Sequence, residues 1–145
     1  MAMLDDPKES AFKLIDYLLP KLRQFIQSKL SSSPNWFEVM ALGKLTLNEK
    51  KAVERNYTRE TGKNPNALKY EANPLDYFDI DHLKKVILDT GNWNQFFESN
   101  FKNKDDISSY LNIIGRIRHP VMHVRGTAVS ETILPAVIWV LERIN

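Results

Sequence analysis

An all-α fold is what this sequence predicts, with four main helices in a bundle and a helical excursion between the first and the second. Three observations carry that prediction. Apolar residues recur at spacings of three and four along most of the chain, the period of a helix with one buried face. Capping residues stand ahead of the periodic blocks: Asp6 with Pro7, Thr46 with Glu49, Asn103 with Asp105 and Asp106, and Ser130 with Glu131. No convincing strand pair and no internal repeat is visible in the sequence.

In order, Asp6 as N-cap and Pro7 at the first helical position open helix one. Phe12, Ile15, Leu18, Leu19, Leu22, Phe25, Ile26 and Leu30 continue its apolar face, and Pro20 inside it predicts a kink. Ser31-Ser32-Ser33-Pro34 ends that helix and leads into a short segment with Trp36, Phe37 and Met40. Thr46 and Glu49 have capping-box spacing ahead of a polar helix from Leu47 to about Glu60. A loop follows from Thr61, and order is expected to stay weak until Pro74. The excursion is thus about 34–73.

The next block opens at Asp79 or Asp81 and runs through His82, Leu83, Val86, Ile87 and Leu88, with Gly91 as its predicted stop. Asn92 is expected to recap a short helix whose Trp93, Phe96, Phe97 and Phe101 read as core, because aromatics at helical spacing usually are. Asn103 opens the helix of Ile107 to Arg118, and Pro120 interrupts it by pushing His119 out of the helical region. Ser130 and Glu131 are expected to open the last helix, burying Ile133, Leu134, Val137, Ile138, Val140, Leu141 and Ile144, with Pro135 bending its first turns.

Composition narrows the function classes. The 145 residues are 43% hydrophobic and 26% charged, enough for a single globular domain over 1–145 with its own core. A net charge of +2 excludes a histone-like polycation but not a local anion site. With no cysteine there is no disulfide, thiolate metal site or cysteine nucleophile, which fits a cytoplasmic location. No apolar run approaches the ~18 residues of a membrane span, and the acidic start, Met1-Ala2-Met3-Leu4-Asp5-Asp6, lacks the basic region of a signal peptide. Met-Ala-Met reads as a cloning scar. Trp139 to Asn145 ends on a helical pattern, compatible with a small protein or with one domain of a longer chain.

One stretch carries chemistry, Arg118-His119-Pro120-Val121-Met122-His123. At about 100° per residue, Ile107, Tyr110, Leu111, Ile114 and Ile117 form one apolar stripe with Arg118 near its middle and Arg116 opposite. A guanidinium there is costly unless it meets an anion or dense hydrogen bonding. No carboxylate occurs from Ile107 to Ser130, so a phosphate is the expected partner.

The order Pro74-Leu75-Asp76-Tyr77-Phe78-Asp79-Ile80-Asp81-His82-Leu83, then Asn92-Trp93-Asn94-Gln95-Phe96-Phe97, then Arg118 to His123 resembles the HEPN superfamily, in particular its branch of C-terminal endoribonuclease domains. The likeness is strongest over 74–123. His119 stands where asparagine is the commonest family residue. Arg125 stands where one subgroup has a tyrosine that accepts nucleotides from a partner enzyme, so that variant is disfavoured. The resemblance implies a four-helix up-and-down bundle that dimerises, with two motifs meeting at the interface. Active members are metal-independent endoribonucleases; inactive ones are RNA-binding or dimerisation modules, often of larger proteins in defence (toxin) or RNA-processing systems.

On that reading the 2′-hydroxyl of RNA is the nucleophile, so neither metal nor cofactor is expected. His123 would move protons near neutrality and Arg118 would stabilise the phosphorane. A homodimer would supply two of each, leaving a 2′,3′-cyclic phosphate. His119 would position RNA or share the proton work. Arg116 and Arg125 form either an electropositive rim or ordinary solvated surface. Without the resemblance, Arg118 and His123 read more simply as a helix-terminal cation and a turn-capping imidazole. His119 and His123 have metal-ligand spacing, but Pro120 between them and the lack of cysteine argue against zinc. His82 reads as a helix-start residue, and Lys50, Lys51, Glu54, Arg55, Arg59 and Glu60 as a solvated face of mixed sign.

Overall fold

A computed structural model of the chain describes the backbone of residues 7–118 and 126–145 and the side chains of 12–116 and 132–145. Among these residues every element is helical and no strand occurs. Helix α1 spans Pro7–Leu30, α2 Leu47–Thr61, α3 Ile80–Leu88, α6 Lys104–Arg118 and α7 Gly126–Ile144, with the short α4, Thr90–Asn92, and α5, Glu98–Phe101, between α3 and α6. The long α1 packs chiefly on α7, α7 on α6, and α6 on α3. Helix α2 lies to one side, in the excursion.

Ile15, Leu18, Leu22, Ile26 and Leu30 of α1 are fully buried at the spacing the sequence predicts. Pro20 stays inside α1, and Pro135 inside α7, both on exposed faces where a lost backbone bond can be made up by water. An aromatic chain knits the elements together. Phe25 of α1 meets Phe101 of α5 at 5.7 Å between ring centroids, Phe101 stacks on Trp139 of α7 at 6.2 Å, and Trp139 stacks on Tyr110 of α6 at 4.6 Å. Trp93–Phe97 is a π-helical turn. Trp93, Phe97 and Phe101 are core, as expected, and Phe96 packs on its edge.

The cap of α2 forms as its sequence predicts: Glu49 N–H donates to Thr46 Oγ1 at 3.2 Å and Thr46 N–H to Glu49 Oε1 at 2.8 Å. Gly62 ends the helix at φ 73°, a left-handed conformation that glycine adopts without strain.

Five expectations need correction. The 61–73 stretch is ordered, with a 3₁₀ turn over Pro65–Tyr70, and a second such turn, Pro74–Tyr77, follows directly after it. Leu68 and Leu75 are buried, and helix side chains hold the backbone: Gln27 Nε2 donates to Ala72 O at 3.0 Å, Asn56 Nδ2 to Tyr77 O at 3.1 Å and Arg23 Nη2 to Phe78 O at 2.8 Å. These partners lie 21 to 55 residues away, beyond the reach of any local pattern.

Helix α3 ends at Leu88 rather than near Gly91, because Asp89 takes an extended ψ of 131°. Asp89, not Asn92, then caps the next turn, accepting from Asn92 N–H at 3.1 Å. Asn92 is instead buried, its Nδ2 donating to Met40 O at 2.8 Å and Val86 O at 2.9 Å. Helix α7 starts at Gly126, ahead of Ser130 and Glu131; no proline precedes Pro135 in this stretch, and serine costs a helix interior only a few tenths of a kcal/mol, about 0.5. Finally, Leu134 and Ile138 are 42% and 44% exposed, while Ala136 joins Ile133, Val137 and Val140 in the core. The buried stripe of α7 is narrower than its apolar content.

Candidate functional site

Asn103 Oδ1 opens α6 by accepting from Asp105 N–H at 2.8 Å and Asp106 N–H at 3.1 Å, and both carboxylates stand in the first turn, where the helix dipole favours them. From this cap the buried face runs through Ile107, Leu111 and Ile114. Position 118 continues that register as the last residue of α6; its side chain lies outside the described residues. Arg116, two residues earlier, is exposed. His119, His123 and Arg125 fall in 119–125, outside the described residues, so their distances from Arg118 are not part of the described geometry.

The helices flanking that segment are firmly seated. Gly115 brings α6 against the first turn of α3: a Cβ there would sit 3.1 Å from Ile80 Cγ2 and 3.6 Å from Asp81 Oδ1. Lys84 Nζ donates to Asn112 Oδ1 at 2.6 Å across the same pair of helices. On the other side Tyr110 stacks on Trp139, whose ring also carries the Arg143 guanidinium 3.8 Å from its centroid. Side chains of α6 and α7 thus tie both helices to their neighbours. The approach of Asp81 to the last turn of α6 places a carboxylate near it that the local sequence from Ile107 to Ser130 does not contain.

His82 behaves as its position suggests. It is 6% exposed, and its Nδ1 accepts the Asp79 N–H at 3.0 Å, closing the cap of α3. That bond uses the ring nitrogen's lone pair, so His82 is a structural residue.

Two polar clusters escape a linear reading. A cleft of about 490 Å³ lies between α1, α2 and the 74–79 segment. Its lining carries four carboxylates, Asp16, Glu60, Asp76 and Asp79, against the guanidiniums of Arg23 and Arg59, a poor match for a polyanion. Beside it, Tyr57 O–H donates to Glu71 Oε1 at 2.7 Å and Lys63 Nζ reaches the same oxygen at 3.0 Å. The Tyr57 bond, reinforced by Lys63, holds the Glu71 carboxyl below the usual carboxylate range, and burial pushes the Tyr57 phenol up. The residues spread over fourteen positions, with no motif to announce them.

Among the described residues, no three His, Asp or Glu side chains converge as a metal site, and no helix is long and apolar enough to cross a membrane. No protein-family model, curated protein or solved structure matches the chain.

Proposed function

We propose that the chain is a HEPN-type domain, a four-helix up-and-down bundle of α1, α3, α6 and α7, that cleaves single-stranded RNA without a metal. The observation that supports this reading is the register of α6: its face is buried at Ile107, Leu111 and Ile114, position 118 falls four residues further along that register, and α7 begins at Gly126. In chain order the arginine-histidine motif falls between two helices that pack on each other. Arg118 would face the scissile phosphate and stabilise charge in the phosphorane. His123 would take or return a proton, with the 2′-hydroxyl attacking and the 5′-oxygen leaving. His119 would support RNA placement, and Arg116 and Arg125 would extend the positive rim.

A homodimer supplies the second histidine, so that one imidazole acts as base and its counterpart as acid. The exposed Leu134 and Ile138, one turn apart on α7, are an apolar face that such a dimer would cover. The cellular setting on this reading is cytoplasmic defence or RNA processing, alone or within a longer chain.

The test is cleavage of labelled single-stranded RNA in excess chelator. Expected are a 2′,3′-cyclic phosphate end, no cleavage of DNA, and a loss of about a hundred-fold or more in Arg118→Ala and in His123→Ala, each with an unchanged melting curve. RNA bound but never cut would reassign the chain as an RNA-binding module. A stable dimer indifferent to RNA would leave a dimerisation module.

A further inference from the structure

The excursion carries a groove that the motif does not use. On one face of α2, Lys51 and Arg55 are exposed one turn apart, with Thr58 beyond them, and these three wall a hollow of about 370 Å³. Glu54 and Pro65 line this hollow and also a second one of about 360 Å³, so the two adjoin. The second sets Phe37, Leu42, Leu68 and Tyr70 beside the polar side chains of Glu38, Asn66 and Lys69. Tyr70 is 80% exposed, and Lys69 Nζ stands 5.3 Å from its ring centroid.

The charges are unevenly matched. Glu38 faces Lys69 at 3.8 Å, and Glu54 is only half-exposed at the junction. Lys51 and Arg55 pair with no carboxylate among the described residues. Unpaired cations one helical turn apart attract backbone phosphates, and an open aromatic face takes any base that is free to stack. A duplex keeps its base faces covered, so the pairing of these two features selects a single strand.

We infer that this groove binds a single-stranded nucleic acid, with Lys51 and Arg55 on the phosphates and Tyr70 beneath a base. The inference adds a contact region to the RNA reading above and does not need the cleavage chemistry. An acidic peptide would answer the two cations but gives no reason for the open ring of Tyr70.

The test is fluorescence anisotropy of the full chain with labelled oligouridylate and, as a strand that 2′-hydroxyl attack cannot cut, oligothymidylate, across a salt series. Lys51→Ala with Arg55→Ala is expected to weaken binding and to reduce the slope of log Kd against log salt by about 1.4, at ~0.7 per lost phosphate contact. Tyr70→Ala is expected to weaken binding about five-fold or more at an unchanged slope. These side chains are exposed, and matching melting curves confirm an intact fold. Wild-type affinity and slope in both variants overturn the inference, as does the absence of binding to either strand. Equal competition by polyglutamate also overturns it and assigns the groove to acidic peptides. Binding lost in Arg118→Ala but kept in the groove variants sinks this inference and leaves the ribonuclease reading standing; the reverse pattern does the opposite.

Discussion

Replacing Asn92 by leucine should be among the most damaging single changes in this chain. Its Nδ2 donates both hydrogens, one to Met40 O at 2.8 Å and one to Val86 O at 2.9 Å, from a side chain on a residue 3% exposed. The first carbonyl belongs to the π-helical turn Phe37–Ala41 and the second to the last turn of α3. Leucine keeps the volume but strands two carbonyls away from water. At ~1–3 kcal/mol for each buried group left without a partner, two such groups give an expected loss of about 2–6 kcal/mol. For a chain of this size that lowers Tm by roughly 5–20 °C. Urea unfolding followed by circular dichroism reads it as a shift in midpoint at constant m. Asn92→Asp sharpens the test, because it aims acceptor oxygens at two acceptors and must cost more than leucine at pH 7, with partial relief on acidification. A leucine variant within ~1 kcal/mol of wild type, or an aspartate variant no worse than leucine, would refute the donor argument.

Gly115→Ala should be nearly neutral and Gly115→Val should lose about 1–3 kcal/mol, since a Cβ there would sit 3.1 Å from Ile80 Cγ2 and two further methyl groups would add to that crowding; equal melting curves for the two variants would contradict the close approach of α3 and α6. Acid should destabilise the fold through Glu71 and Glu49. The Tyr57 bond and Lys63 hold Glu71 low. Burial pushes Glu49 up, but hydrogen bonds from Thr46 N–H and Lys85 outweigh it and leave the carboxyl below its ordinary value. Both carboxyls ionise more readily folded than unfolded, so their contribution is complete above the ordinary value of about 4.3 and drains away as pH falls through the lower folded values. Tyr57→Phe removes one of those bonds and should flatten the stability curve below about pH 5; parallel wild-type and variant curves from neutral to acid pH would show that Tyr57 does not set the Glu71 carboxyl.

How much of this was legible in the sequence varies by element. The cap of α2 follows from Thr46 and Glu49 alone, because a capping box is a contact between residues three apart. The buried face of α1 and that of α6 through Ile114 follow from spacing, since a helix next to a core repeats its direction every 3.6 residues. Gly91 and Asn92 were misleading for an instructive reason: glycine stops and asparagine caps are local habits, and here Asp89 broke the helix while Asn92 was drawn inward to satisfy Met40 O from a distant element. The last helix shows the same limit. Periodicity marks seven apolar positions on α7 but not how many of them a neighbour covers, and Leu134 and Ile138 remain outside.

The candidate motif divides in the same way. Its residues, their order and the register that sets position 118 in line with Ile107, Leu111 and Ile114 are properties of the chain. The meeting of Gly115 with Ile80 and Asp81, the stacking of Tyr110 on Trp139, and the joining of Lys51 and Arg55 to the hollow that ends at Tyr70 are properties of the fold. Helical class and the caps of α2 and α6 were determined by the sequence itself, because backbone hydrogen bonds and side-chain direction reach only four residues along a helix. Which apolar faces are covered, which carbonyls are met by side chains up to 55 residues away and which cations are left unpaired were decided only by tertiary packing, because those contacts require distant segments to be brought together at once.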